Sequence, residues 1–295
     1  MNLQLPLSVV IATLGGPVLE GTLARLNSGE RKPTEILVCV PEKEAAGLTN
    51  FGHSNVRVIA TPCRGQVAQR AYGLGLAGQS FVMQMDDDII IEPGAVEALL
   101  EALNDLGSGN VVAPFFRHQS NGQYITQNRT GLRGLLFDCY QTIVCGAPWG
   151  KRRMGKLTAT GIGYWIDRNA IGDDPFETEW VPGGCAVCHR QDLVTDSYFP
   201  FPGKAFSEDL IHSIYWRRKG VRLWAIPTVD CSTQVEPMPF DWRLMRADLQ
   251  AHLHVVRLIN GSMWRLYVWF MFFLVLQAGR EGMKMLKSSK EQLAQ

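Results

Sequence analysis

Three aspartates stand in a row in "FVMQMDDDIII" (81–91): Asp86, Asp87 and Asp88. An apolar run leads into them and another leads out. Burying even one such carboxylate unpaired costs several kcal/mol, so something beside them must offset the charge. Carboxylates at the end of a strand suit a hard divalent cation, because Mg²⁺ and Mn²⁺ favour oxygen ligands and accept one or two carboxylates plus substrate phosphates. The simpler alternative is a solvated acidic turn capping the next helix, but three aspartates exceed what one cap needs.

A second acidic pair, Glu208 and Asp209, opens "FSEDLIHSIYWRRKG" (206–220), a run with helical spacing at Leu210, Ile211, Ile214 and Tyr215. Ser207 fits an N-cap and acids in the first turn suit the helix dipole, so capping alone accounts for one of the two. Between the acidic clusters lies "EWVPGGCAVCHRQDL" (179–193), where Pro-Gly-Gly makes a tight backbone after an apolar piece. Its C-A-V-C-H spelling matches covalent haem attachment, but it sits mid-chain without an export signal. A zinc site would need a second ligand pair, and "CYQTIVC" (139–145) has poor spacing. Cys185 and Cys188 therefore read as buried structural thiols.

The elements that must position these acids follow from hydrophobic period. "LSVVIAT" (7–13), "EILVCV" (35–40), "VRVIAT" (56–61), "FVMQMD", "NVVAPFF" (110–116) and "RLWAIPTVDCS" (222–232) read as strands. Helical spacing appears at Val18, Leu19, Leu23 and Leu26, and at Val67, Ala71 and Leu74 despite nearby glycines. A third helix has Pro93 in its first turn and a stripe of Ala95, Val96, Leu99, Leu100 and Leu103. Residues 117–180 read as loops with a few helical pieces. Continuous apolar strands alternating with helices predict an α/β fold with a mainly parallel sheet covered on both faces, whose ligands bind at the strands' carboxyl ends. Asp86–Asp88 occupy such an end.

Composition excludes little. A net charge of +1 offers no field for nucleic acid. Seven scattered cysteines, an odd number, point to reduced thiols in a cytosolic compartment. "MNLQLPLSVVIAT" lacks a basic region and a cleavage site and reads as the first strand rather than a signal peptide.

Taken in order, "VVIAT", "RGQVAQRAYGLGLA" before "DDD", "WVPGGCAVCHR" about a hundred residues later, and "EDL…WRRKG" resemble family-2-type inverting glycosyltransferases with the GT-A fold, over roughly residues 5 to 235. The resemblance implies a Rossmann-like catalytic domain over 1–240, with a nucleotide-sugar half (about 1–116) and an acceptor half (about 117–240). It implies a nucleotide-sugar donor, a glycan or lipid-linked acceptor, and Mn²⁺ or Mg²⁺ as cofactor. Matched by motif, Asp86 and Asp87 meet the nucleotide, Asp88 holds the metal and Asp209 is the general base. Gly183 and Gly184 line donor and acceptor, Arg217 and Arg218 face the diphosphate, and Thr13, Arg64 and Arg70 fall on the donor side. Trp180 and Glu208 fall on the acceptor side. The family's base-reading Asp pair is replaced by "VCVPEKE", with Glu42 as the substitute.

Other readings remain open. "VMQMDDDII" also resembles an aspartyl-phosphate phosphohydrolase, with Asp86 as nucleophile, although that motif normally ends the first strand. A sugar-phosphate nucleotidyltransferase would want a phosphate loop that "IATLGGPVLEG" matches poorly. A non-catalytic glycan-binding relative is a further class. His53, His118, His252 and His254 lack ligand spacing, and His212 is expected on a helix surface. "GKRRMGK" (150–156) reads as a solvated basic loop, or one meeting a phosphate-bearing acceptor or anionic lipid.

The segment 241–295 is expected to be a helical extension. Its apolar run Leu266–Leu276 has eleven residues, about 16 Å as a helix, against the roughly 30 Å of a bilayer core. One reading is a buried core helix. The other, favoured by Trp264, Tyr267 and Trp269 and by flanking Arg257, Arg265, Arg280, Lys284, Lys287 and Lys290, is a monotopic anchor on an anionic membrane surface, peripheral on the cytoplasmic face.

Overall fold

The computed structural model describes residues 4–202, 204–234 and 241–293, with side chains as far as residue 279. The chain runs β1 (Gln4–Ala12), α1 (Val18–Leu26), β2 (Lys32–Pro41), α2 (Glu42–Ala45), β3 (Val56–Thr61), α3 (Gln66–Leu76), β4 (Phe81–Met85), β5 (Ile90–Ile91), α4 (Ala95–Leu106) and β6 (Asn110–His118). Then follow α5 (Gly131–Ile143), β7 (Phe176–Thr178), β8 (Cys185–His189), α6 (Glu208–Arg218), β9 (Arg222–Thr233), α7 (Trp242–Leu258) and α8 (Met263–Leu293).

One sheet holds the fold together, in the order β3-β2-β1-β4-β8-β6-β9-β5, with β7 on β9. From β3 to β4 every ladder is parallel. Beyond β4 the sheet is mixed, because β8 inserts antiparallel between β4 and β6. That strand is the "CAVCH" segment, and the Pro-Gly-Gly turn lies between β7 and β8. Cys185 and Cys188 are buried, as expected of structural thiols.

Side chains alternate across the sheet as the strand period requires. Val9, Ile11, Ile36 and Val38 pack with α1 and α4, whereas Val10, Leu37 and Cys39 face α3. In α1 the buried stripe is Leu19, Thr22, Leu23 and Leu26; Val18, expected inside, is exposed. In α3 the glycine at 73 permits contact: a Cβ there would lie 2.3 Å from Cys39 Sγ and 2.7 Å from Val10 Cγ1. Helix α4 begins at Ala95 behind Gly94 in the left-handed region (φ 85°), so Pro93 lies in the turn before the helix.

In α8, Leu266 and Phe270 are buried, while Trp264, Tyr267, Met271 and Phe272 are half-exposed or more. The run 266–276 is thus not a core helix. Among the described residues no helix is long and apolar enough to cross a membrane. The expected basic flank at Arg280, Lys284, Lys287 and Lys290 lies outside the described side chains.

Candidate active site

The carboxyl ends of β1, β2 and β4 come level, with Ile11 beside Met85 and Ala12 beside Cys39. Just past these ends, each of the three aspartates finds a different neighbour. Asp86 Oδ1 accepts from Arg70 Nη2 at 2.7 Å and Gln66 Nε2 at 2.9 Å. The Thr13 hydroxyl donates to Asp87, and Thr22 Oγ1 donates to the Asp87 carbonyl at 2.7 Å. Asp88 accepts from Thr233 Oγ1 at 3.1 Å. Only Asp86 has a cationic partner among the described residues. Burial raises the Asp88 carboxyl above its usual range, and the charges of Asp86 and Asp87 add to the rise, with the Thr233 hydrogen bond opposing.

Gln69 ties the strand ends together from α3. Its Nε2 donates to the carbonyls of Thr13 and Cys39, both at 2.8 Å. One turn of helix thereby fixes Gln66, Gln69 and Arg70 facing the strand ends.

The second acidic pair reaches the same place from β8 and α6. The Asp86 N–H donates to the Gly184 carbonyl (2.9 Å), and Gln84 Nε2 donates to the Gly183 carbonyl (2.9 Å). A Cβ on Gly183 would sit 2.5 Å from Glu208 Oε1 and 3.3 Å from Asp209 Cβ. A side chain at 183 would therefore push α6 away from the strand ends. Glu208 is buried, paired with Arg70 Nη1 at 2.8 Å and accepting from the Tyr198 hydroxyl at 2.9 Å. Ser207 occupies the cap position but with φ 52° and no side-chain cap, so the expected N-cap hydrogen bond is absent. Left-handed backbone in a non-glycine residue costs on the order of 1–3 kcal/mol, and here it immediately precedes the acidic pair.

The charges differ sharply across this cluster. Burial alone would lower Arg70, but Glu208 and Asp86 outweigh it and hold the guanidinium charged. Asp209 is pushed up to about 7, first by burial and then by the Glu208 charge. Its Oδ1 accepts from the Leu210 N–H at 2.9 Å, a weak counterweight. A carboxyl ionising near neutrality can take a proton at working pH.

Two clefts meet over this floor. One of about 660 Å³ is lined by Thr13, Arg64, Gln66, Asp86, Asp88 and Lys204, among others. The other, about 310 Å³, shares Gln66, Asp86 and Asp88 and adds Gly183, Asp209 and Thr233. The donor chemistry suits a divalent cation: Asp88 is partly buried, raised and without a cationic partner among the described residues. No cluster of three metal-ligating side chains exists among the described residues, so phosphate oxygens would complete such a shell.

Thus Thr13, Arg64, Arg70, Asp86, Asp87, Asp88, Gly183, Gly184, Glu208 and Asp209 lie together around these clefts. Four expected residues do not. Arg217 and Arg218 are exposed in the last turn of α6, about 12 Å along the helix from Asp209, and Arg218 donates to the Leu258 carbonyl. They do not line the clefts; the basic residues in the lining of the larger one are Arg64 and Lys204. Trp180 is buried against Trp165 and lies outside the lining of both clefts. Glu42 is exposed on α2 and outside the cleft lining; Glu44 turns back to Arg64. His212, expected on a surface, is fully buried with its ring 3.6 Å from that of Trp216, and burial holds it neutral. Of the residues not anticipated, Gln66 and Gln69 carried a signal in their spacing beside Arg70. Tyr198, Lys204 and Thr233 carried none.

Asp86 follows the fourth strand of the chain, whereas the phosphohydrolase motif normally ends the first. A parallel half-sheet joined to a mixed half, with acidic residues at the seam, defines a GT-A-type domain. Residues 8–154 match the family model described as glycosyl transferase family 2, and the chain carries a glycosyltransferase domain of that family. Among solved structures, it is similar to the crystal structure of GalNAc-T7 with UDP, GalNAc and Mn²⁺, at a TM-score of 0.58 and 15% identity. That match covers 82% of this chain but only 47% of the other, so this chain spans about half of that protein's length. No curated protein matches the sequence.

Proposed function

We propose that the protein transfers a sugar from a nucleotide-sugar donor to an acceptor hydroxyl with inversion at the anomeric carbon. The observation that carries this reading is Asp209, a carboxyl raised to about 7 at the wall of a cleft that shares Asp86 and Asp88 with the larger one. The donor occupies the larger cleft, with Arg64 and Lys204 toward its phosphates. The acceptor hydroxyl enters the smaller one and gives its proton to Asp209. As that oxygen bonds to the anomeric carbon, the bond to the diphosphate breaks and the nucleoside diphosphate leaves with its electron pair. A single displacement inverts the centre and needs no carboxylate nucleophile. Asp88, with Asp86 beside it, would hold Mn²⁺ or Mg²⁺, which supplies charge compensation for the diphosphate when bound.

UDP with Mn²⁺ is the first donor pair to try, because the GT-A structure of similar fold was crystallised with both. The test is a screen of nucleotide sugars for divalent-dependent hydrolysis and thermal stabilisation. Absence of any divalent-dependent effect across the screen would overturn the reading and favour a non-catalytic relative. The exposed aromatic face of α8 further supports a peripheral position on the cytoplasmic face of a membrane, with an acceptor on a lipid carrier.

A further inference from the structure

Helix α5 is turned inside out. Leu132, Leu135, Leu136 and Ile143 are 51–71% exposed, while Gly134 and Gln141 are its buried residues. An isolated exposed leucine is ordinary, but a contiguous apolar face marks a surface that something covers.

That face does not stand alone. Tyr140 of α5 meets Phe272 of α8 edge-on at 5.7 Å, and Arg265 of α8 donates to the carbonyls of Thr142 and Ile143 at the end of α5. On α8, Tyr267, Met271, Val275 and Leu276 are 50–67% exposed beside it. Arg153 pins the following loop to α5 through Asp138 (2.5 Å), which leaves Trp149, Lys151 and Arg152 exposed at its side.

We infer that α5 and α8 together form one membrane-binding face, apolar at its centre and basic at its rim, that seats the protein on an anionic lipid surface. This deepens the peripheral placement proposed above and rests on it, adding a second helix far from the C-terminal segment in sequence. Charge decides the occupant. Residues 129–156 carry six basic side chains and one acidic; Arg153 is buried against Asp138 and Lys156 pairs with Glu179, which leaves Arg129, Arg133, Lys151 and Arg152 as the exposed basic rim. A two-fold pairing of copies would place this rim against itself, like charge facing like. An anionic headgroup layer meets it with opposite charge. Exposed Trp149, Trp264 and Tyr267 are of the types that settle at the headgroup level.

Flotation of the full chain with phosphatidylcholine vesicles, with and without phosphatidylglycerol, tests this. Wild type is expected to float only with phosphatidylglycerol. The pair Leu132→Glu and Leu136→Glu on α5, and separately Met271→Glu and Val275→Glu on α8, should each lower the bound fraction at least about tenfold. All four positions are exposed, so nucleotide binding and melting temperature should be unchanged. If the α5 pair floats like wild type while the α8 pair does not, α8 alone is the anchor and the two-helix face is wrong. If wild type ignores vesicles and sediments as a dimer that the α5 pair dissociates, the face is an interface between copies and the proposal falls.

Discussion

Arg70 Nη1 donates to Glu208 Oε1 at 2.8 Å, joining residues 138 apart in the chain. The same guanidinium donates to Asp86 at 2.7 Å. One buried cation thus ties the strand-end aspartates to the helix that carries Asp209. Replacing Arg70 with Leu leaves Glu208 buried without its cation, which typically costs about 3–5 kcal/mol. Urea unfolding should register that loss. The double variant Arg70→Leu, Glu208→Leu should recover much of it. Equal losses in single and double variants would mean that the pair does not hold the strand ends and α6 together.

Asp88→Ala should abolish divalent-dependent binding of a nucleoside diphosphate and leave the fold intact. The carboxylate is only partly buried and its one side-chain hydrogen bond among the described residues is to Thr233. Calorimetry with UDP and Mn²⁺ measures this, and undiminished metal-dependent binding would assign the cation elsewhere.

Asp209→Asn should keep donor affinity and lose about 10²-fold or more in transfer, because an amide cannot take the proton. In wild type the carboxyl is protonated below about pH 7 and charged above it. The rate should therefore rise through about pH 7 and level off beyond. Stability runs the other way. A carboxyl raised in the fold from 3.8 to about 7 favours folding fully only below 3.8, and that contribution is lost as pH rises to about 7. The Asn variant carries no such charge. Its melting temperature relative to wild type should climb over that interval and stay level above it. A flat difference across pH would show that Asp209 ionises normally.

Gly183→Ala should lower transfer and stability together. Its Cβ would come within 2.5 Å of Glu208 Oε1, and overpacking of this kind typically costs about 1–3 kcal/mol. Gly172→Ala, with no atom within 4 Å, is the control. Like behaviour of the two variants would remove the steric argument for glycine at 183.

Local signals made the parallel half of the sheet readable. β3 falls on the expected Val56–Thr61, because a continuous apolar run bounded by turns has one sensible reading. The aspartates were legible as a site because three adjacent carboxylates after a buried strand repel one another and are tolerable only at a solvated strand end open to a ligand. Tyr198 and Thr233 join through long-range packing, which no local pattern encodes. Arg217 and Arg218 fall away from the clefts for a geometric reason: eight residues of helix carry a side chain to the far end of the element. The outward leucines of α5 escape a sequence reading because periodicity identifies an apolar stripe, not the side of the molecule it faces.

β8 lies antiparallel between β4 and β6, yet it is made about a hundred residues after β4. A ribosome adds roughly 5–20 residues per second, so the outer edge of β4 waits on the order of 5–20 s for its neighbour. During that wait an edge of Phe81, Val82 and Met83 has unpaired backbone groups beside the growing chain. Synthesis speed across residues 86–189 therefore sets how long this nascent sheet remains open to pairing with another chain, and slow translation there should raise aggregation without altering the finished fold.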